Sequence, residues 1–122
     1  MLNIIRYFIL VEGLSFIIAS LVHAGVLFSG YEHYRASVAE GVIGVVLLFG
    51  TVLAFIRPGW TRIVGLAVQG FALLGTMVGV FMVAIGVGPH TIPDITYHIV
   101  ILAVIVWGLA VSIRRKPDSV TG

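Results

Sequence analysis

Residues 4–28 read IIRYFILVEGLSFIIASLVHAGVLF, an apolar run with Arg6 near its start and Glu12 and His23 inside it. At about 1.5 Å of rise per residue, a helix of this length exceeds the ~20 residues needed to cross a bilayer. Glu12 and His23 lie eleven positions apart. At about 100° per residue that is close to three full turns, so both point to one side of the helix. Ser15 and Ala19 fill the same stripe. A carboxylate within a bilayer is costly unless something in the protein answers it. The rest of the chain is therefore expected to supply partners for Glu12 and His23.

Composition places the whole chain in the same class. Of 122 residues, 60% are hydrophobic and only 10% charged, against about 25% charged in a soluble domain. The net charge of +2 has no basic face behind it, which argues against nucleic-acid binding. Cysteine is absent, which excludes disulfides, thiolate metal sites and iron–sulfur clusters. The first apolar run is too long for a signal-peptide core and lacks a small-residue cleavage pattern. It is expected to stay as a helix.

Four such runs occur, at about 4–28, 36–56, 63–87 and 95–113, followed by a short tail at 114–122. Between them lie the polar turn 29–35, the Arg57-Pro58-Gly59 turn and a Gly/Pro loop at 86–94. Thr91 with Asp94 three residues later reads as a capping box for the fourth helix. The prediction is an all-α bundle of four transmembrane helices running up-down-up-down. Arg6, Arg57, Arg62, Arg114, Arg115 and Lys116 then gather at one face, with Arg35 at the other. Basic residues are retained inside, so both termini are expected in the cytoplasm of a bacterial cell.

The halves echo each other. Arg6 before Val11-Glu12-Gly13 matches Arg62 before Val68-Gln69-Gly70, His33 matches His90, and Glu40 matches His98 with one residue of slip. Such a pattern describes a parallel repeat of two hairpins. It places Glu12 and Gln69 at equal depth, where a hydrogen bond between them is expected and a role in proton coupling is open.

Sorting the other polar groups by depth gives a second layer. His23, Glu40 and His98 fall within about one turn of the same depth near the outer face, and Asp94 lies one turn before His98. A ligand pocket of His23, Glu40, Asp94 and His98 follows. Within it, His23, Glu40 and His98 are the set a divalent transition metal would take. The same groups suit a proton-relay pair or the polar head of a lipid-like molecule. A bis-histidine haem is less well served, since His23 and His98 make one pair and no second exists. Gly75 and Gly79 form a GxxxG pair that permits close helix approach, inside the bundle or in a homodimer.

Arg6 ahead of a Glu-bearing first span, Ala39-Glu40-Gly41 and Leu74-Gly75-Thr76 resemble the DoxX-like group of small four-helix membrane proteins. That resemblance covers most of the chain and implies a four-helix membrane fold, with a link to quinone-dependent redox chemistry in some members. Leu10-Val11-Glu12-Gly13 is also similar to the proton-exchanging glutamate segment of small multidrug resistance transporters. The second span, however, has no Tyr or Trp for the aromatic cage of that family.

Three functions follow as expectations. The first is binding of a metal ion or small ligand in the outer pocket, linked to membrane redox chemistry. The second is proton-coupled transport through Glu12. The third is a structural subunit of a larger membrane complex.

Overall fold

The computed structural model describes residues 3–115. Within them the chain forms four α-helices: α1 (Asn3–His23), α2 (Tyr34–Ile56), α3 (Thr61–Ala84) and α4 (Ile92–Arg114). A single 3-10 turn, Pro58–Trp60, leads into α3. All four helices are long and apolar enough to cross a membrane. The part of the tail from Lys116 onward lies outside the described residues.

Helix ends differ from the apolar runs where local chemistry overrides hydropathy. α1 stops at His23, short of 28, because Gly25 takes φ 79° and the chain turns. The Gly25 N–H donates to Val22 O and the Val26 N–H to Leu21 O, each at 3.1 Å. This glycine-centred closure satisfies the last carbonyls of the helix. Gly86 closes α3 in the same way, with φ 81° and a Val87 N–H to Met82 O bond. α4 begins earlier than 95 because both halves of the Thr91–Asp94 capping box are formed. At its far end, Arg62 donates to Ser112 O and Ile113 O.

Consecutive helices run antiparallel. Ser20 pairs with Ser37 while Gly13 lies against Leu47 and Leu48. Gly79 lies against His98 while Gln69 reaches Ser112. Gly75 lies against Ile43, so the two glycines of the GxxxG pair let α3 approach α2 and α4 within the bundle. α1 packs on all three other helices. The core is formed by Ile9, Phe16, Ile43, Leu47, Ala72 and Ile105.

The distribution of polarity is that of a protein in lipid. Glu12, His23, Glu40, Gln69 and Asp94 are buried, whereas Phe49, Leu74, Trp107 and Ile113 are exposed. With no water in a hydrocarbon layer, polar groups turn inward and apolar ones face the lipid.

Candidate functional site

The site starts from His23, the last residue of α1. Its Nδ1 lies 2.7 Å from Glu40 Oε2 on α2, and its Nε2 lies 2.9 Å from Asp94 Oδ1 on α4. One imidazole thus joins two carboxylates from two other helices, and all three side chains are buried.

Each arm is held by local structure. Asp94 is the third residue of the capping box, and its Oδ2 accepts from the Thr91 N–H at 3.1 Å and the Thr91 hydroxyl at 2.5 Å. Oδ2 accepts twice and so carries no proton, while Oδ1 is left to His23. The His33 N–H donates to His23 O at 2.8 Å and secures the end of α1. His33 also caps α2, its Nδ1 accepting from the Ala36 N–H, while its Nε2–H donates to Val87 O. Glu40 has His23 as its protein partner, and its Oε1 makes no protein hydrogen bond among the described residues.

Proton counting follows from these bonds. With both acids ionised, both ring nitrogens donate and His23 is the imidazolium. The alternative with the same contacts has a neutral ring and the proton on one of the two acids. Either way the three groups carry one net negative charge. Among the described residues, no Lys or Arg pairs with either acid.

The triad separates two cavities. One, of about 170 Å³, lies between α2, α3 and α4. Glu40 and His98 are polar groups on its wall, among apolar side chains such as Phe16, Ile43, Met82 and Ile101. The other, of about 550 Å³, lies along α1 and α4 and is lined by His23, Asp94, Ser15 and Phe28. Tyr97 belongs to both walls, and its hydroxyl is 2.9 Å from Ser15 Oγ.

The predicted pocket is therefore assembled in part. His23, Glu40 and Asp94 meet; His98 does not join them. His98 Nδ1–H donates to Asp94 O, one turn back on its own helix, at 2.7 Å. Its Nε2 faces Gly79. The expected metal set of His23, Glu40 and His98 is corrected on this ground. Both His23 nitrogens are engaged by carboxylates, His98 is turned away, and no group of three potential ligands that could hold a metal ion occurs among the described residues.

The expected Glu12–Gln69 hydrogen bond is also corrected. Gln69 Nε2 donates to Gly65 O and Ser112 Oγ at 3.1 and 3.0 Å. Glu12 is fully buried, and neither of its oxygens has a hydrogen-bond partner among the described residues; nor has Gln69 Oε1. Equal depth did not bring the two side chains together.

Two links escaped the reading by depth. Ser15 stood on the polar stripe, but Tyr97 gave no periodic signal because it adjoins His98. His33 looked like a loop residue, and its capping role depends on a turn the sequence does not announce. No family model, curated protein or solved structure matches the chain.

Proposed function

We propose that this chain is a small integral membrane protein that binds a small amphiphilic molecule in the cavity between α2, α3 and α4. The observation that carries this reading is an apolar cavity with Glu40 on its wall, fixed from behind by His23 and Asp94. Ligand sites have this form: apolar walls and a few placed polar groups. The ligand's body lies against Phe16, Ile43 and Ile101, and its head meets Glu40 and His98. The metal alternative is set aside with the His23–Glu40–His98 set.

The basic residues Arg6, Arg57, Arg62 and Arg114 support a bundle with both termini in the cytoplasm, and hence a cavity near the outer face. The matched pairs Glu12/Gln69 and Glu40/His98 support an origin in two repeated hairpins. The likeness to the DoxX-like group extends the proposal to a role beside a membrane redox system.

Benzyl alcohol is a suitable probe, being small, amphiphilic and neutral. Saturation-transfer NMR on the protein in nanodiscs should show binding that Ala39→Phe abolishes by filling the cavity. Equal signals from both proteins would overturn the proposal.

A second reading, proton-coupled transport, draws on Glu12, whose two buried oxygens have no hydrogen-bond partner among the described residues. Intramembrane acids mark proton paths. Unchanged proton-coupled flux in Glu12→Gln would remove it.

A further inference from the structure

We infer that the end of the bundle opposite the His23 triad holds the phosphate headgroup of an anionic phospholipid, bound between Arg6 and Arg57. The site is separate from the cavity between α2, α3 and α4 and does not depend on it.

The inference begins with how charge is divided between the two ends. Because consecutive helices are antiparallel, the starts of α1 and α3 and the finishes of α2 and α4 share one end. Arg6, Arg57, Arg62 and Arg114 all lie there. Of the acids among the described residues, Glu32, Glu40 and Asp94 lie at the other end. Glu12 is nine residues beyond the start of α1, about 13 Å along the helix, and is fully buried. None of the four arginines pairs with a carboxylate among the described residues.

Two of these guanidinium groups are set around a single turn. Arg6 donates from Nη2 to Thr61 Oγ1 at 3.3 Å and from Nη1 to Asn3 Oδ1 at 3.0 Å. Its Cζ lies 4.9 Å from the centre of the Phe55 ring. Arg57 Cζ lies 5.4 Å from the centre of the Trp60 ring. Phe55, Arg57, Trp60 and Thr61 fall within seven consecutive residues, so both guanidinium groups flank the Pro58–Trp60 turn. Arg6 is only partly exposed, and its Nε is buried with no hydrogen-bond partner among the described residues. Arg62, by contrast, is turned to the last carbonyls of α4.

Arg6 and Arg57 thus have only neutral partners among the described residues. A partly buried cation in that position lacks its counter-charge. The planar fork of arginine matches the oxygens of a phosphate. The start of α3 adds to the attraction, since Trp60 gives it no side-chain cap and a helix N-terminus favours an anion. Apolar side chains then select a lipid over a free ion. Phe55, Ile56, Trp60 and Ile63 are exposed around the same turn, at the ends of helices long enough to cross a membrane. Basic residues at that level attract anionic headgroups, and tryptophan favours the headgroup region.

Trp60 reports on the site. The chain has two tryptophans, so Trp107→Phe leaves Trp60 as the only one. The full chain with this change, in phosphatidylcholine nanodiscs, is titrated with brominated phosphatidylglycerol or brominated phosphatidylcholine, and quenching of Trp60 is followed. Phosphatidylglycerol should quench at a mole fraction at least about tenfold lower. Each basic residue at a membrane surface is worth about fivefold, so Arg6→Gln and Arg57→Gln should each reduce that ratio by about as much. Arg57→Gln carries the test if Arg6→Gln does not fold. Arg114→Gln on α4 and Arg35→Gln at the other end should leave the ratio unchanged, and millimolar inorganic phosphate should not relieve the quenching. Equal quenching by the two lipids overturns the inference. Equal losses in Arg6→Gln and Arg114→Gln overturn it in favour of diffuse surface charge. Relief by inorganic phosphate overturns it in favour of a free anion. A preference for phosphatidylglycerol that appears only with Asp118→Asn overturns it by assigning the counter-charge to the chain's own tail.

Discussion

His23 Nδ1 lies 2.7 Å from Glu40 Oε2, a bond between the last residue of α1 and the second turn of α2. The same ring holds Asp94 at 2.9 Å, so one side chain ties α1 to both α2 and α4. Removing one partner of a buried ion pair leaves the other uncompensated, at a cost of about 3–5 kcal/mol. His23→Ala orphans two acids at once and should sit at the upper end of that range. Denaturant titration of the protein in mixed micelles measures it. A loss below about 1 kcal/mol would show that the triad does not hold the helices.

Glu12 makes the opposite prediction. It is fully buried, and neither oxygen is hydrogen-bonded among the described residues. An unsatisfied buried polar group costs about 1–3 kcal/mol, and an apolar side chain of similar shape removes that cost. Glu12→Met should therefore unfold at higher denaturant than the parent. Destabilisation would mean that Glu12 has a stabilising partner in the membrane.

The contrast between Glu12 and His23 also shows what the sequence could reveal. Hydropathy located four helices, since about twenty apolar residues in a row have few other uses. Depth counting puts His23, Glu40 and His98 at one level, with Asp94 one turn before His98, because each lies close to a helix end, where only a few residues of uncertainty accumulate. Rotation about the helix axis is not given by depth. Gln69 therefore bonds Ser112 instead of Glu12, and His98 bonds its own helix at Asp94 O. Helix ends were missed where Gly25 and Gly86 adopt positive φ. Hydropathy does not register a backbone turn inside an apolar run.

The Ser20–Ser37 pair, which gave no signal in the sequence, is a smaller but cleaner test. The Ser20 hydroxyl donates to Ser37 O at 2.7 Å, and the Ser37 hydroxyl donates to Ser20 O at 2.8 Å. Interhelical hydrogen bonds in membranes are worth about 0.6 kcal/mol on average, up to about 1.7. Ser20→Ala and Ser37→Ala should each cost about that much. The hydroxyls are 3.3 Å apart, so the double variant should cost less than the sum, as neighbouring sites do when they share a contact. Strict additivity in a double-mutant cycle would show that the two bonds act independently.

Gly75 allows a prediction of rescue. A methyl group on its Cα would meet Ile43 Cδ1 at 2.6 Å and Ile43 Cγ1 at 3.2 Å. The nearer contact is inside any normal carbon–carbon separation, so Gly75→Ala forces α3 away from α2 or Ile43 out of its rotamer. Overpacking of this kind costs about 1–3 kcal/mol. The clashing atom is the terminal carbon of Ile43, which valine lacks. Ile43→Val alone should cost about 0.5–1.5 kcal/mol by opening a small void in the core. Combined with Gly75→Ala it should restore stability, because the new methyl group occupies the space that Cδ1 leaves. Denaturant unfolding of the two single variants and the double variant decides it. A double variant less stable than Gly75→Ala alone would mean that the clash is relieved elsewhere and that Gly75 does not set the spacing between α2 and α3.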